Sequence, residues 1–404
     1  MSLLAKNNSP CLLCGYPKLD PCYCDAQTRS VTSDCKIWEE PPSVFVCPRC
    51  SHLQKLTNQD SARRTQAVYA GYEIYGLSEG EEQLIFQNGS EAPVSRSAKI
   101  IERLASLIPF KREGVLLDIG CGNGAFLSAF GTRHPGWSLF GFEQNTRYRE
   151  RVLSLPQVKD FYSDSFENIQ EKFDLISLIH VFEHIAEPGK MLQWVRPLLS
   201  EEGYLLIQVP NILKNPFDMV VIDHYSHFSP EVLSHFVADS GFETVCLATD
   251  WVHKEISLLC RRGEVHSHSS WYASLPTLDL IQNHQAIGAW MNAIIEGARQ
   301  KTTPSNFGIF GTAIAGTWMA GNLGDRVHFF VDEDKSRTGK FHLGKPVLSP
   351  QALKFNDLVF IAFPHDIALR ILERMKKLSP AVFKIPPPLK KILGATSAPS
   401  LMFS

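Results

Sequence analysis

The sequence predicts an α/β fold made of two strand–glycine turn–helix units behind a cysteine-rich module. Three observations carry this. Val115 to Ile119 is an apolar run broken only by Asp118, followed by Gly120, Gly122 and Gly124 and then a helical pattern from Ala125-Phe126-Leu127. A second such unit begins at Phe307-Gly-Ile-Phe and turns through Gly311 and Gly316. Two C-x-x-C knuckles, Cys11/Cys14 and Cys47/Cys50, precede both. Glycine allows a sharp turn and close approach of a ligand to the backbone. A turn between a strand and a helix start leaves free N–H groups in the crevice beyond the strand ends.

The elements after the first turn continue the pattern. Trp137 to Phe142 reads as a strand ending at Glu143, about 20 residues past the glycines, where an acidic side chain meets ribose hydroxyls. Val158 to Ser163 reads as a third strand before Asp164-Ser165, and Phe173 to Ile179 as a buried fourth running into His180-Val-Phe-Glu-His184. Tyr204 to Val209 reads as the fifth. Asp118-Ile-Gly120-Cys-Gly122-Asn-Gly124 resembles motif I of the class I S-adenosylmethionine-dependent methyltransferases, and His180–Pro188 is similar to a signature of many small-molecule members. The resemblance implies a Rossmann-like core with S-adenosyl-L-methionine as cofactor. Asp118, Gly120 and Gly122 would then lie along its methionine part, Glu143 on the ribose, Asp164 and Ser165 at the adenine amine, and His180 on the cofactor side.

Composition narrows the partners. The 404 residues suggest two or three domains, and 44% hydrophobic residues supply their cores. Forty basic and 42 acidic residues nearly cancel, which leaves no footprint for nucleic acid or an anionic membrane. No apolar run approaches the ~20 residues of a membrane span, and the N-terminus lacks a signal-peptide pattern. A cytoplasmic protein with a small-molecule substrate is expected; the sequence does not state its oligomeric state.

Ten cysteines therefore call for something other than disulfides, and seven fall within the first fifty residues. Two knuckles separated by 32 residues can close a four-sulfur cage suited to structural Zn²⁺. Cys22, Cys24 and Cys35 are surplus and read as free thiols, with Cys22 or Cys24 as alternative ligands. Cys11–Gly15 and Cys47–Gln54 resemble the zinc module of sugar C-methyltransferases acting on nucleotide-linked deoxysugars, in which this module helps cover the substrate cleft.

Tyr69, Tyr72 and Tyr75 lie at spacing three, so a helix would place them on one face. Such a stripe is more often packing than chemistry. The family resemblance implies substrate-facing tyrosines here, which makes Tyr72 and Tyr75 candidates.

Beyond the fifth strand, Asp223-His224-Tyr-Ser-His227-Phe-Ser229-Pro230 puts two histidines and an aspartate within five residues. Methyl transfer requires an acceptor that gives up a proton, and imidazole is the side chain best poised to take it near neutrality. Asp223 is expected to orient the ring or raise its basicity. The bland alternative is a helix cap, with Ser229 before Pro230. By resemblance His224 falls on the base of the sugar C-methyltransferases and Asp223 on the carboxylate before it. Val221 and His227 stand where that family has tyrosines.

The expected organisation is a zinc module over 1–60, a helical linker over 61–99, a methyltransferase domain over 100–260, a helical connection over 261–303 and a smaller Rossmann-like domain over 304–404. In the last, Gly311 and Asp332 lie about 20 residues apart, though the G-x-x-x-x-G turn departs from the dinucleotide fingerprint. Methylation of a nucleotide-activated sugar or a related glycan or natural-product precursor is the first reading. O- or N-methylation of another metabolite is the second, and an inactive zinc-stabilised binding protein is the third.

Overall fold

A computed structural model describes residues 9–73, 82, 84–85, 94–264, 270–300 and 306–389. The central sheet has seven strands: β1 (Gly114–Ile119), β2 (Trp137–Phe142), β3 (Val158–Tyr162), β4 (Phe173–Ile179), β5 (Leu199–Pro210), β6 (Phe242–Ala248) and β7 (Glu255–Arg262). They lie in the order β3-β2-β1-β4-β5-β7-β6, with β7 antiparallel to both neighbours and the rest of β1–β5 parallel. Strands buried on both faces read as continuous apolar runs, and Leu116, Leu117, Leu175, Ile176, Leu178, Leu205 and Ile207 are fully buried. Helices Arg96–Ala105, Ala125–Arg133, Pro188–Leu198 and Pro230–Asp239 flank the sheet. Ser95 and Ser229 cap two of them through their side chains. The chain order reverses between β1 and β4, so the crevice lies beyond Ile119 and Ile179, as open parallel sheets require.

The second unit has six strands, in the order Phe341–His342, Lys345–Leu348, Phe329–Val331, Phe307–Phe310, Leu358–Ile361 and Val382–Lys384. Helix Ile314–Leu323 follows its glycine turn, and helix Thr277–Gln300 connects it to the first unit. In front, Asp20–Cys24, Ser43–Val46 and Leu53–Gln54 form an antiparallel sheet. Its fourth strand comes from far along the chain: Ser226 pairs with Gln54 and His227 with Leu53.

The N-terminal strands share a core with the C-terminal unit. Tyr23, Val31, Val44 and Leu53 pack in one cluster with Phe217, Val220 and Val221, Trp290 and Ile294 of the connecting helix, and Trp318. The apolar face of this helix, with Ile287, Trp290, Met291, Ile294 and Ile295, thus joins parts of the chain that sequence order separates. The helix ending the tyrosine stripe stops at Ala70 with Gly71 as cap, so Tyr72 lies outside it, contrary to the one-face expectation. Tyr75 falls outside the described residues. Among the described residues no helix is long and apolar enough to cross a membrane.

Trp290 is 1% exposed, donates from Nε1 to the Pro387 carbonyl at 2.8 Å and meets Phe217 edge-on at 5.6 Å. Its replacement by alanine is expected to lower stability by about 3–5 kcal/mol, measured by denaturant unfolding. A loss below about 1 kcal/mol would show that the shared core is not what joins the two ends of the chain.

Candidate active site

β1 delivers the chain to Gly120, Gly122 and Gly124, all with positive φ (71°, 51° and 81°). A Cβ on Gly120 would stand 2.2 Å from Val181 Cγ2, so the turn accepts no side chain there. The Gly120 and Cys121 N–H groups donate to the Phe142 carbonyl at 2.7 and 3.2 Å, which clamps the turn to the end of β2. Glu143 follows directly and accepts from Gly122 N at 3.3 Å and Asn145 N at 3.2 Å. Burial raises its carboxyl above the usual range, and these backbone donors oppose the shift. Asp118, 3% exposed, accepts from Ser177 Oγ at 2.7 Å, and burial pushes it up to about 7.

A cavity of about 800 Å³ opens from this turn. Asp118, Gly120, Gly122, Glu143, Tyr72, His180 and His224 all line it. Tyr72 packs at 5.6 Å from Tyr69, which meets His184 edge-on at 6.1 Å. His180 has φ +55° and lies between two carboxylates, with Nδ1 at 3.2 Å from Glu183 and Nε2 at 3.0 Å from Glu255. Burial alone would lower its pKa, but Glu255 and Glu183 lift it to about 9. Both carboxylates thus favour the charged form of His180.

The expected adenine pair is placed differently. Asp164 is exposed and Ser165 caps a short helical turn through Glu167 N, and neither lines the cavity. The next residue, Phe166, turns in instead, stacked on Phe142 at 4.1 Å and 9° and on Trp194 at 5.6 Å and 26°. Apolar stacking wins this position because the ring gains burial while the polar pair keeps its water. Sequence reading missed Phe166 and Trp194; their only signal is an aromatic residue immediately after the polar pair.

The histidine segment departs from expectation in its carboxylate. Asp223 does not hydrogen-bond His224. It accepts from Ser33 N at 2.9 Å and Ser33 Oγ at 2.5 Å and lies 3.4 Å from His184 Nδ1. Asp223 lies in a turn, with its carboxylate on Ser33 while the His224 ring meets Asp218. Asp218 takes the place expected of Asp223: His224 Nδ1 donates to its Oδ1 at 2.7 Å and His227 Nδ1 to its Oδ2 at 2.5 Å. Asp218 was hidden in an apolar run, six residues before His224. His227 does not line the cavity and is fully buried.

Electrostatics separates the rings. Burial depresses His224, yet Asp218 beside it outweighs that and its pKa is raised. In His184 burial, then the neighbouring His224, leaves the pKa lowered. Burial likewise lowers His227 in spite of Asp218. Asp218 itself is held well below the usual carboxylate range, since its two histidines overcome the burial that would raise it.

The knuckles bring four thiols together: Cys11 and Cys50 sulfurs lie 3.6 Å apart, Cys14 and Cys47 3.5 Å, and all four within 4.8 Å. A tetrahedral ion with metal–sulfur bonds of ~2.3 Å has edges of ~3.8 Å. Each knuckle closes with a left-handed residue, Gly15 (φ 68°) and Ser51 (φ 57°). The donor set fits Zn²⁺; Cys22, Cys24 and Cys35 are not part of it. Two other groups bring possible ligand atoms within 4.8 Å, Glu183/His184/His224 and Asp218/His224/His227.

The family described as "Methyltransferase domain" matches residues 94–247. The chain carries a class I S-adenosylmethionine-dependent methyltransferase domain. It is 30% identical over 117 residues to a ubiquinone biosynthesis O-methyltransferase of Glaesserella parasuis serovar 5 (strain SH0165), covering 26% of this chain and 50% of that one. It is 23% identical over 227 residues to the C-methyltransferase NovU of Streptomyces niveus, covering 53% and 49%. The match thus spans about half the length of each of these relatives. The solved plantazolicin methyltransferase BpumL superposes with a TM-score of 0.40 at 12% identity, covering 51% of this chain and 96% of that one.

A carboxylate hydrogen bond to a ligand hydroxyl contributes about 1.5–3 kcal/mol. Glu143→Ala is therefore expected to weaken S-adenosylmethionine affinity at least ~10-fold by calorimetry. Unchanged affinity would place the ribose elsewhere.

Proposed function

We propose that this protein methylates a nucleotide-activated sugar, or a related glycan or natural-product precursor, with His224 as the base. The observation that carries the reading is that His224, held by Asp218 through Nδ1, lines the same cavity as the glycine turn and Glu143. Its Nε2 is thereby the lone-pair nitrogen. His184 also lines the cavity and is tied through Nδ1, to the Asp223 carbonyl at 3.0 Å, but its pKa is lowered where that of His224 is raised. The surroundings thus favour the charged form of His224 over that of His184, which supports His224 as the proposed base. The glycine turn and Glu143, which line the cavity, fit a cofactor that supplies an electrophilic methyl group.

The far wall of the cavity supports an anionic acceptor. It is formed by Gly311–Gly316 at the start of helix Ile314–Leu323, with Arg337 and Lys254 nearby. Free N–H groups at a helix start favour phosphate oxygens. Asp332 accepts from Thr312 Oγ at 2.6 Å and lies 3.6 Å from Arg337, so its carboxylate is already engaged. That favours a phosphate over a dinucleotide's ribose at this end. The partial likeness to a C-methyltransferase points the same way. Val221, buried at the cavity wall, offers no hydroxyl to hold an enolate, which keeps O-methylation as a second reading.

With methyl-labelled cofactor and a panel of nucleotide sugars, NMR of the product names the atom methylated. His224→Asn is expected to lower kcat by about 10²–10⁴ with cofactor affinity intact. Normal turnover in that variant would remove the base assignment, and failure of every nucleoside diphosphate to bind would remove the nucleotide-sugar assignment.

The cysteine cage is proposed to hold one structural Zn²⁺ per chain. Since Leu53–Gln54 pairs with Ser226–His227, Cys50→Ser is expected to lose the metal and reduce kcat while cofactor binding survives. Metal analysis that finds no zinc in fresh wild-type protein would overturn this.

A further inference from the structure

His224 and His227 hold one carboxylate between them. Asp218 is 1% exposed, and its two oxygens accept from different rings, at 2.7 Å from His224 and 2.5 Å from His227. An ionised carboxylate only accepts, so each Nδ1 carries the hydrogen, and in the neutral ring each Nε2 holds the lone pair. The rings differ in what surrounds them. His224 faces the cavity, whereas His227 is 1% exposed and its Nε2 meets no partner among the described residues. His227 is thus out of reach of any ligand, and its contact with the site is through Asp218.

We propose that Asp218 is the positioning residue of the base and that His227 sets the base's strength by holding part of the carboxylate's charge. The proposal rests on His224 as the base. Asp218 fixes the tautomer and plane of His224 and balances the imidazolium formed in the reaction. The His227 hydrogen bond withdraws charge from Asp218 and thereby limits how far it raises the basicity of His224. In the reaction, the acceptor's O–H or C–H bond breaks and a bond from that hydrogen to His224 Nε2 forms. The freed electron pair forms the bond to the methyl carbon, and the electrons of the broken sulfur–carbon bond remain on sulfur. Asp218 stays ionised and His227 keeps its Nδ1 hydrogen, so no proton passes through them.

Several other groups face this unit. Glu183 and His184 approach from the loop after β4, and Asp223 from the segment of His224 itself. Lys55 comes from the N-terminal sheet; its Nζ donates to the Val221 carbonyl, and burial brings its pKa down to about 7. Glu183, Asp218 and Asp223 are all held below the ordinary carboxylate range, so they stay charged through neutrality. Lys55 acts on His227 as a like charge, and the buried His52 and His284 face the same ring.

The test is the pH profile of kcat at saturating cofactor and acceptor. The base works when neutral, so activity falls on the acid side through its pKa. Asp218→Asn removes the counter-charge: the acid limb is expected to move to lower pH by about 1–3 units, and kcat to fall by about 10²–10⁴. His227→Phe removes one donor from Asp218 and strengthens its hold on His224, so the acid limb is expected to move to higher pH. Opposed displacements support the proposal, because a merely structural loss would not drive the limb in two directions. Displacements of the same sign, or a limb that moves in neither variant, overturn it and leave His224 as the base. Full turnover in His224→Asn overturns the base assignment instead. Should Asp218→Asn fail to fold, imidazole nitrogen NMR of the histidine-labelled wild-type protein decides the matter: both rings are expected as Nδ1–H tautomers, and an Nε2–H tautomer at His224 overturns the proposal.

Discussion

Residues 216–229 are all buried, yet they contain only a short helical turn and a two-residue strand. A buried connection is costly because every backbone N–H and C=O must find a partner away from water. Much of the surrounding architecture supplies those partners. Ile222 N donates to Val31 O, Tyr225 N to Glu183 O, and Lys55 N to Tyr225 O. Ile212 N reaches back to Phe228 O within the segment's own loop. Strand pairing with Leu53–Gln54 takes up Ser226 and His227, and the His52 ring lies 3.1 Å from Ser226 Oγ. The segment that carries the histidines is thus held by the N-terminal sheet from one side and by the loop of His184 from another.

This constraint explains why a cysteine cage belongs to a site that its sulfurs never touch. The second knuckle, Cys47–Cys50, is the turn between the strands Ser43–Val46 and Leu53–Gln54. Fixing that turn fixes the edge onto which Ser226–His227 is laid. From there the path to the cavity is one carboxylate long, through Asp218 to His224. The connecting helix adds the apolar half of the support by packing Trp290 and Ile294 against Phe217 and Val220. A site in which an aspartate must hold two imidazoles at hydrogen-bond distance tolerates little slack, and three distant stretches of chain remove it.

Much of the core was legible because buried parallel strands leave a local record. β1, β2 and β4 are largely apolar, buried runs, and Gly120 stands where left-handed backbone and the approach of Val181 exclude a side chain. The two C-x-x-C knuckles were legible because metal-type turns are short-range. The edge strand β6 was not, since Glu243, Thr244 and Val245 are exposed and its pattern follows neither a buried nor an alternating strand. The partner of His224 was illegible for another reason. Asp223 is its neighbour in sequence, but from its turn it meets Ser33, while Asp218 reaches the ring through a fold-back that no local pattern records. Asp164 and Ser165 show another limit, for the family resemblance placed them at the adenine amine, whereas here they do not line the cavity and Phe166 beside them does.

The charges around the cavity are arranged for a positive charge that changes place. Arg96 lies 3.4 Å from Glu255, which in turn holds His180, and His180 reaches Glu183. This chain of alternating signs is already matched and has little left over for a reacting group. Asp218 is matched differently: burial lowers the pKa of one donor, His227, while that of the other, His224, is raised, and in the proposed reaction His224 takes the acceptor's proton. In the proposed reaction a sulfonium loses its charge as an imidazolium acquires one, so the cavity's total is conserved while its location shifts toward Asp218. A carboxylate fixed there beforehand stabilises the product arrangement without reorientation, which is where a preorganised dipole or charge contributes most to lowering a barrier. On that reading, the buried segment 216–229 places this one charge, out of water, behind the proposed base His224.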